Sequence, residues 1–218
     1  MLRWMLTERL RRRLRHLFPQ IYIAGSHHLR PWRNGSARTP LLLYCSHNGW
    51  SDVALAVVLS QRFFRLRSLF LIHPQQLQHL RMLRFLGAVI FPWDNLPAVQ
   101  ELLPGLLPRL LHPRTVLWVF ATGTVLSIGE TEALWSCADL VHSSPTPIAL
   151  APVVWSYHLL QTDPACYLLI GEPELWDPHH TPATLVHRCS QRLLSLYNYQ
   201  QHLLSGGSLP SLYQRYRL

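Results

Sequence analysis

Apolar residues in this chain fall into short continuous runs separated by longer stretches with a helical rhythm. Residues 41–45, 68–72, 88–91 and 115–120 are such runs, the pattern of strands buried on both faces. Residues 148–154 and 165–170 are two more, and 21–24 is a shorter candidate strand. Residues 52–64, 74–85 and 96–111 carry helical spacing, and 181–199 predicts a long closing helix. Pro104 and Pro108 are expected to break or bend the helix that holds them. Residues 26–40 read as a polar loop, 140–162 as a loop followed by a strand, and the end of the chain from Ser205 as loose. Strands alternating with helices imply an α/β fold with a mixed, largely parallel central sheet flanked by helices. A site in such a sheet is expected beyond the carboxyl ends of the strands.

The first residues follow a different rule. Leu2, Leu6, Leu10, Leu14 and Phe18 recur every four positions with Leu17 beside them, while Arg9, Arg11, Arg12 and Arg15 fall on the flanks and opposite face. This is a basic amphipathic N-terminal helix with Trp4 near its start, suited to lying in a membrane interface. The same stripe would also serve a helix packed on the domain. The expected organisation is a helix over 1–20, an α/β domain over 21–204 and a polar tail over 205–218.

At 218 residues the chain holds one domain, two at most, with enough apolar content (49%) for a core without disulfides. Cys45, Cys137, Cys166 and Cys189 are widely separated and form no metal-ligand spacing, so they read as buried free thiols. The adjacent pairs His27–His28 and His179–His180 lack ligand partners, and no metal is expected. The net charge of +9 points to an anionic surface, and mapping it sharpens the choice. Residues 1–114 hold 16 arginines against four acids, whereas 115–187 hold seven acids and no arginine. The arginines gather beside the apolar stripe, and no aromatic RNA-binding motif accompanies them. An anionic membrane is therefore favoured over nucleic acid. No stretch is long and apolar enough to span a bilayer. The expected location is peripheral, at the cytoplasmic face of a membrane.

The chemistry lies in Tyr44-Cys45-Ser46-His47-Asn48-Gly49-Trp50-Ser51-Asp52. A histidine follows a buried strand, and an aspartate lies five positions on at a helix start. On one continuous helix these two side chains would point about 140° apart. They meet if His47 occupies the turn before the helix and Asp52 its first turn. Asp52 would then hold one ring nitrogen and raise the basicity of the other, making His47 a general base. Without further context the two residues would equally serve as strand and helix caps. Ser46 and Ser51 lack the G-x-S-x-G setting of a serine hydrolase.

Four blocks in order give that context. They are His47 to Asp52, Phe85-Leu86-Gly87-Ala88-Val89-Ile90-Phe91, Val119-Phe120-Ala121-Thr122-Gly123-Thr124, and the apolar strand around Pro152. Together they resemble the glycerophospholipid acyltransferase family typified by 1-acylglycerol-3-phosphate acyltransferase, over about residues 20 to 200. The resemblance implies an acyltransferase-like fold and transfer of a fatty acyl group from acyl-CoA or acyl-carrier protein to an acceptor hydroxyl, with no cofactor. His47 and Asp52 would be catalytic. Asn48, Trp50, Gly87, Trp93, Thr122, Gly123 and Thr124 would bind substrate, with backbone N–H groups around Gly123 receiving the oxyanion.

This sequence departs from the family where phosphate is held. Ala121, Thr122 and Val125 stand in place of the family's proline, glutamate and arginine, and Pro92 and Trp93 stand where an arginine is usual. Phosphate favours bidentate arginine contacts. The acceptor is therefore expected to lack phosphate, as a glycolipid or carotenoid glycoside does, with Trp50, Trp93 and Trp118 available for stacking. Arg81 or Arg84 could restore phosphate binding. A lysophosphatidate acyltransferase and a non-catalytic lipid-binding protein of the same fold are the alternatives.

Overall fold

The computed structural model describes residues 2–46, 50–72, 83–92, 95–112, 114–120, 132–158, 164–177, 179–206 and 211–218. The apolar runs form one mixed sheet. Its strands are β1 (Gln20–Ala24), β2 (Leu41–Cys45), β3 (Arg67–Ile72), β4 (Ala88–Ile90) and β5 (Thr115–Phe120), then β6 (Ile148–His158), β7 (Ala165–Ile170), β8 (Glu174–Trp176) and β9 (Gln214–Tyr216). The order is β4-β3-β5-β2-β6-β7-β1-β9, with β8 also paired to β6. Strands β4, β3, β5, β2 and β6 run parallel. Strand β7 turns antiparallel against β6, and β1 runs parallel to β7.

Period-two alternation sorts each strand's side chains between two cores. Leu41, Leu43 and Cys45 face the core that includes Leu6 and Leu14 of α1 (Leu2–Leu17) and residues 54–59 of α3 (Trp50–Leu59). Leu42 and Tyr44 face the other, built with α5 (Leu96–Leu110), α6 (Glu132–His142) and α7 (Pro182–Ser205). Two one-turn helices, α2 (Arg30–Arg33) and α4 (Leu83–Leu86), complete the helices of the described residues.

The N-terminal stripe is spent on the domain. Leu6, Leu14 and Phe18 are buried in the first core and Leu10 packs against it. Arg3 adds a polar clasp, donating to the carbonyls of Ser68 at 3.0 Å and Leu86 at 3.2 Å. Glu8 accepts from Arg62 at 2.7 Å and from Arg11, and these guanidiniums, Arg11 first, hold its carboxyl down to about 2.

Other elements differ from expectation for identifiable reasons. Helix α5 runs unbroken through Pro104 and Pro108, both exposed, where water can take the hydrogen bonds that the missing N–H groups leave unmade. Helix α6 occupies a stretch for which no helix is expected from the sequence, and Leu134, Cys137, Ala138 and Val141 supply its buried face. Residues 26–33, expected as loop, form short helical turns. The tail is not loose throughout: β9 pairs with β1, and Tyr213 and Leu218 are buried. Helix α3 gives way to a wider π-helical turn over Ser60–Phe64, and Trp118 Nε1 donates to Ser60 Oγ at 2.9 Å. The helix expected over 74–85 lies mostly outside the described residues, apart from α4.

Gly87 enters β4 at φ +112, and a Cβ there would lie 2.2 Å from the Ser68 carbonyl oxygen. Gly87→Ala is expected to destabilise the fold by about 2–3 kcal/mol, from left-handed strain plus the clash. Urea unfolding would read this as a lower midpoint at unchanged slope. An unchanged midpoint would contradict the tight β3–β4 crossing.

Candidate active site at the carboxyl edge of the sheet

Strands β2 and β5 end level with each other at one edge of the sheet, where β6 runs on beyond them, and the His–Asp motif leaves from there. Ser46 directly follows β2 and donates its N–H to the Val153 carbonyl at 3.3 Å. Its side chain is buried, and Oγ has no hydrogen-bond partner among the described residues. The chain resumes with Trp50 opening α3, which places Asp52 in the first turn of that helix. A carboxylate at a helix N-terminus is favoured by the helix dipole. The Asp52 side chain is fully buried at 0% exposure, so it requires polar partners.

One partner comes from β6. This strand runs 11 residues, five past the position where Val153 pairs with Cys45, and the overhang is covered by β7. Tyr157 lies on the overhang, and its hydroxyl donates to Asp52 Oδ1. Burial raises the phenol's pKa well above its ordinary value, with the Cys166 thiol and Asp52 adding to the effect, so Tyr157 keeps its proton. Cys45 and Cys166, the other described groups that feel Asp52, are free thiols pushed far up by burial and stay neutral.

The structure brings together only part of the residue set expected from the sequence. Asp52 is at the edge, and Trp50 begins the helix that carries it. His47, Asn48, Trp93, Thr122, Gly123 and Thr124 lie outside the described residues, as does Arg81. Gly87 is not at this edge: by strand register it lies level with Leu69, Leu117 and Leu42. That is four residues, roughly 13 Å, short of Ser46 along the strands. There its backbone packs closely on Ser68. Arg84 is farther back along the strands, exposed on α4 at the amino end of β4. Trp118 is a fully buried core residue, stacked near Phe120, tilted against Trp155 and bonded to Ser60.

Tyr157 escapes the sequence reading because β6 is expected to stop at residue 154. The signal was the continued alternation of Val153, Trp155 and Tyr157, which face one core.

No protein-family model and no curated protein matches the chain. Among solved structures, it is similar to the 1-acyl-sn-glycerophosphate (LPA) acyltransferase PlsC from Thermotoga maritima. The TM-score is 0.52 at 14% identity, covering 83% of this chain and 72% of that one. The chain thus has the α/β fold of that acyltransferase, with a mixed sheet, flanking helices and an N-terminal helix.

Proposed function

We propose that the chain is a membrane-surface O-acyltransferase that moves a fatty acyl group from a thioester donor, acyl-CoA or acyl-carrier protein, to a lipid hydroxyl. The observation that carries this reading is the buried Asp52 carboxylate, set in the first turn of α3 just past the β2 edge on this fold. A fully buried carboxylate at the mouth of a sheet, five residues after a histidine, suits an orienting acid better than a packing residue. His47 takes the proton of the acceptor hydroxyl as its oxygen attacks the thioester carbonyl. The tetrahedral intermediate then expels the thiolate, which recovers that proton from His47 and leaves as a thiol. Backbone N–H groups near Gly123 are the proposed oxyanion donors. Asn48, Trp50, Trp93, Thr122 and Thr124 are the proposed acceptor and donor contacts.

The acceptor is proposed to lack phosphate, as a glycolipid or glycosylated apolar alcohol does. Support comes from the arginine-free stretch 115–187 and from the position of Arg84 before the amino end of β4. The second reading, lysophosphatidate as acceptor, is favoured by the activity named for the similar PlsC structure. Offering palmitoyl-CoA with lysophosphatidate or with a monoglycosyl diacylglycerol separates them. Faster turnover of the glycolipid supports the first reading, and efficient turnover of lysophosphatidate overturns it.

Membrane docking is proposed on the outer face of α1 and the neighbouring α4. Because Leu6, Leu14 and Phe18 of the stripe are buried, the bilayer would meet its exposed first residue Leu2 together with Trp4 (61% exposed), Met5 and Phe85 (57% exposed), with Arg9, Arg12 and Arg13 also exposed. No helix among the described residues is long and apolar enough to cross a membrane. The double variant Trp4→Ser, Phe85→Ser is expected to bind phosphatidylglycerol vesicles about ten-fold or more weakly, with an unchanged melting temperature. Undiminished sedimentation with vesicles would rule out this face. The anionic leaflet and the acyl thioesters place the enzyme at the cytoplasmic side in this proposal.

A further inference from the structure

The phenol on the β6 overhang does more than fill space. Its hydroxyl donates to Asp52 Oδ1 from a strand, while the carboxylate itself sits on a helix, so one bond ties the two elements at the site. The phenol proton is therefore directed at the carboxylate. The ring is held from behind: it stacks on Phe18, immediately after α1, with centroids 5.0 Å apart and planes 27° apart. Phe18 is itself buried at 5% exposure.

We infer that Tyr157 is a positioning residue for acyl transfer, locking one oxygen of Asp52 so that the carboxylate presents a fixed geometry to the histidine motif, with Phe18 at the foot of α1 bracing the phenol. This rests on the acyl-transfer reading. The groups facing Asp52 among the described residues are Tyr157 from β6, Cys45 from β2 and Cys166 from β7, and both thiols are neutral. Removing the phenol's hydroxyl therefore removes a donor without exposing a competing charge among them. A carboxylate that loses a donor ionises less readily, and one that remains ionised holds a protonated imidazole more strongly. Both effects push the acid limb of the rate profile to higher pH.

The test is Tyr157→Phe, which keeps the ring on Phe18, assayed in the full chain by thiol release from palmitoyl-CoA with and without the acceptor lipids. The expected result is a kcat lowered about 10- to 100-fold with KM unchanged within about two-fold, and an acid limb displaced upward. A parental kcat and pH profile in Tyr157→Phe, beside an inactive Asp52→Asn, would overturn the inference and leave the acyl-transfer reading standing. A parent chain that releases no thiol above background would instead overturn that reading. The phenol bond is then read without activity: in tyrosine-labelled protein, the Tyr157 hydroxyl proton should resonate downfield and lose that shift in Asp52→Ala. A hydroxyl proton insensitive to Asp52→Ala would overturn the inference by itself.

Discussion

His47→Ala is expected to lower acyl transfer by about 10³-fold or more, while the chain still folds and still binds vesicles. Cys45 and Cys166 are buried protonated thiols and Tyr157 keeps its proton, so none of these three can stand in as the base. Asp52→Asn should lose about 10²–10⁴-fold in kcat, because an amide cannot stabilise the imidazolium. Stability should not follow activity. A buried carboxylate kept for function carries a desolvation cost that its neutral isostere avoids, so the amide is expected to leave stability unchanged or raise it. A variant that is slower yet equally or more stable marks a carboxylate kept for chemistry. Equal losses of activity and stability in Asp52→Asn would point to a structural acid instead. If lipid binding and cellular effect both survive His47→Ala, the non-catalytic lipid-binding alternative gains.

Leu14→Ala is expected to destabilise the fold by about 3 kcal/mol, and deletion of residues 1–17 to prevent folding altogether. Leu14 is fully buried, and Leu6 and Phe18 enter the same core from either end of the helix. Without α1, the apolar residues of α3 and α4 that pack against it would meet water. The loss would also unbrace Tyr157, which stacks on Phe18. Circular dichroism and denaturant midpoints decide the matter. A deletion variant that folds with a parental midpoint would mean that α1 is a detachable anchor rather than part of the domain.

The central strands were legible because burial on both faces leaves continuous apolar runs, and residues 41–45, 115–120 and 165–170 match their strands to the residue. Amphipathicity was equally legible in α1 but ambiguous in meaning. A leucine stripe is the same whether it meets lipid or α3, and only the burial of Leu6 and Leu14 separates the two. The ends of elements were less legible. Tyr157 and His158 look like the start of a polar connection, yet β7 pairs with them and extends β6. The tail looked loose because the pairing of β9 with β1 joins residues nearly two hundred positions apart, which no local pattern encodes. At the site, chain spacing alone put Asp52 in the first turn of its helix. Its phenol partner was invisible because 105 positions separate them. Gly87 stands out in the sequence by its place in a motif, and its left-handed backbone and close approach to Ser68 add a packing reason for glycine there.

The most direct test of the account is product analysis with the purified full chain. Isotope-labelled palmitoyl-CoA is supplied with vesicles containing a glycolipid and lysophosphatidate, and the lipids are resolved by mass. The account predicts a labelled acyl ester on one lipid hydroxyl, matched by free CoA and absent with His47→Ala. Label that stays in the thioester, or transfer that His47→Ala leaves undiminished, would contradict it.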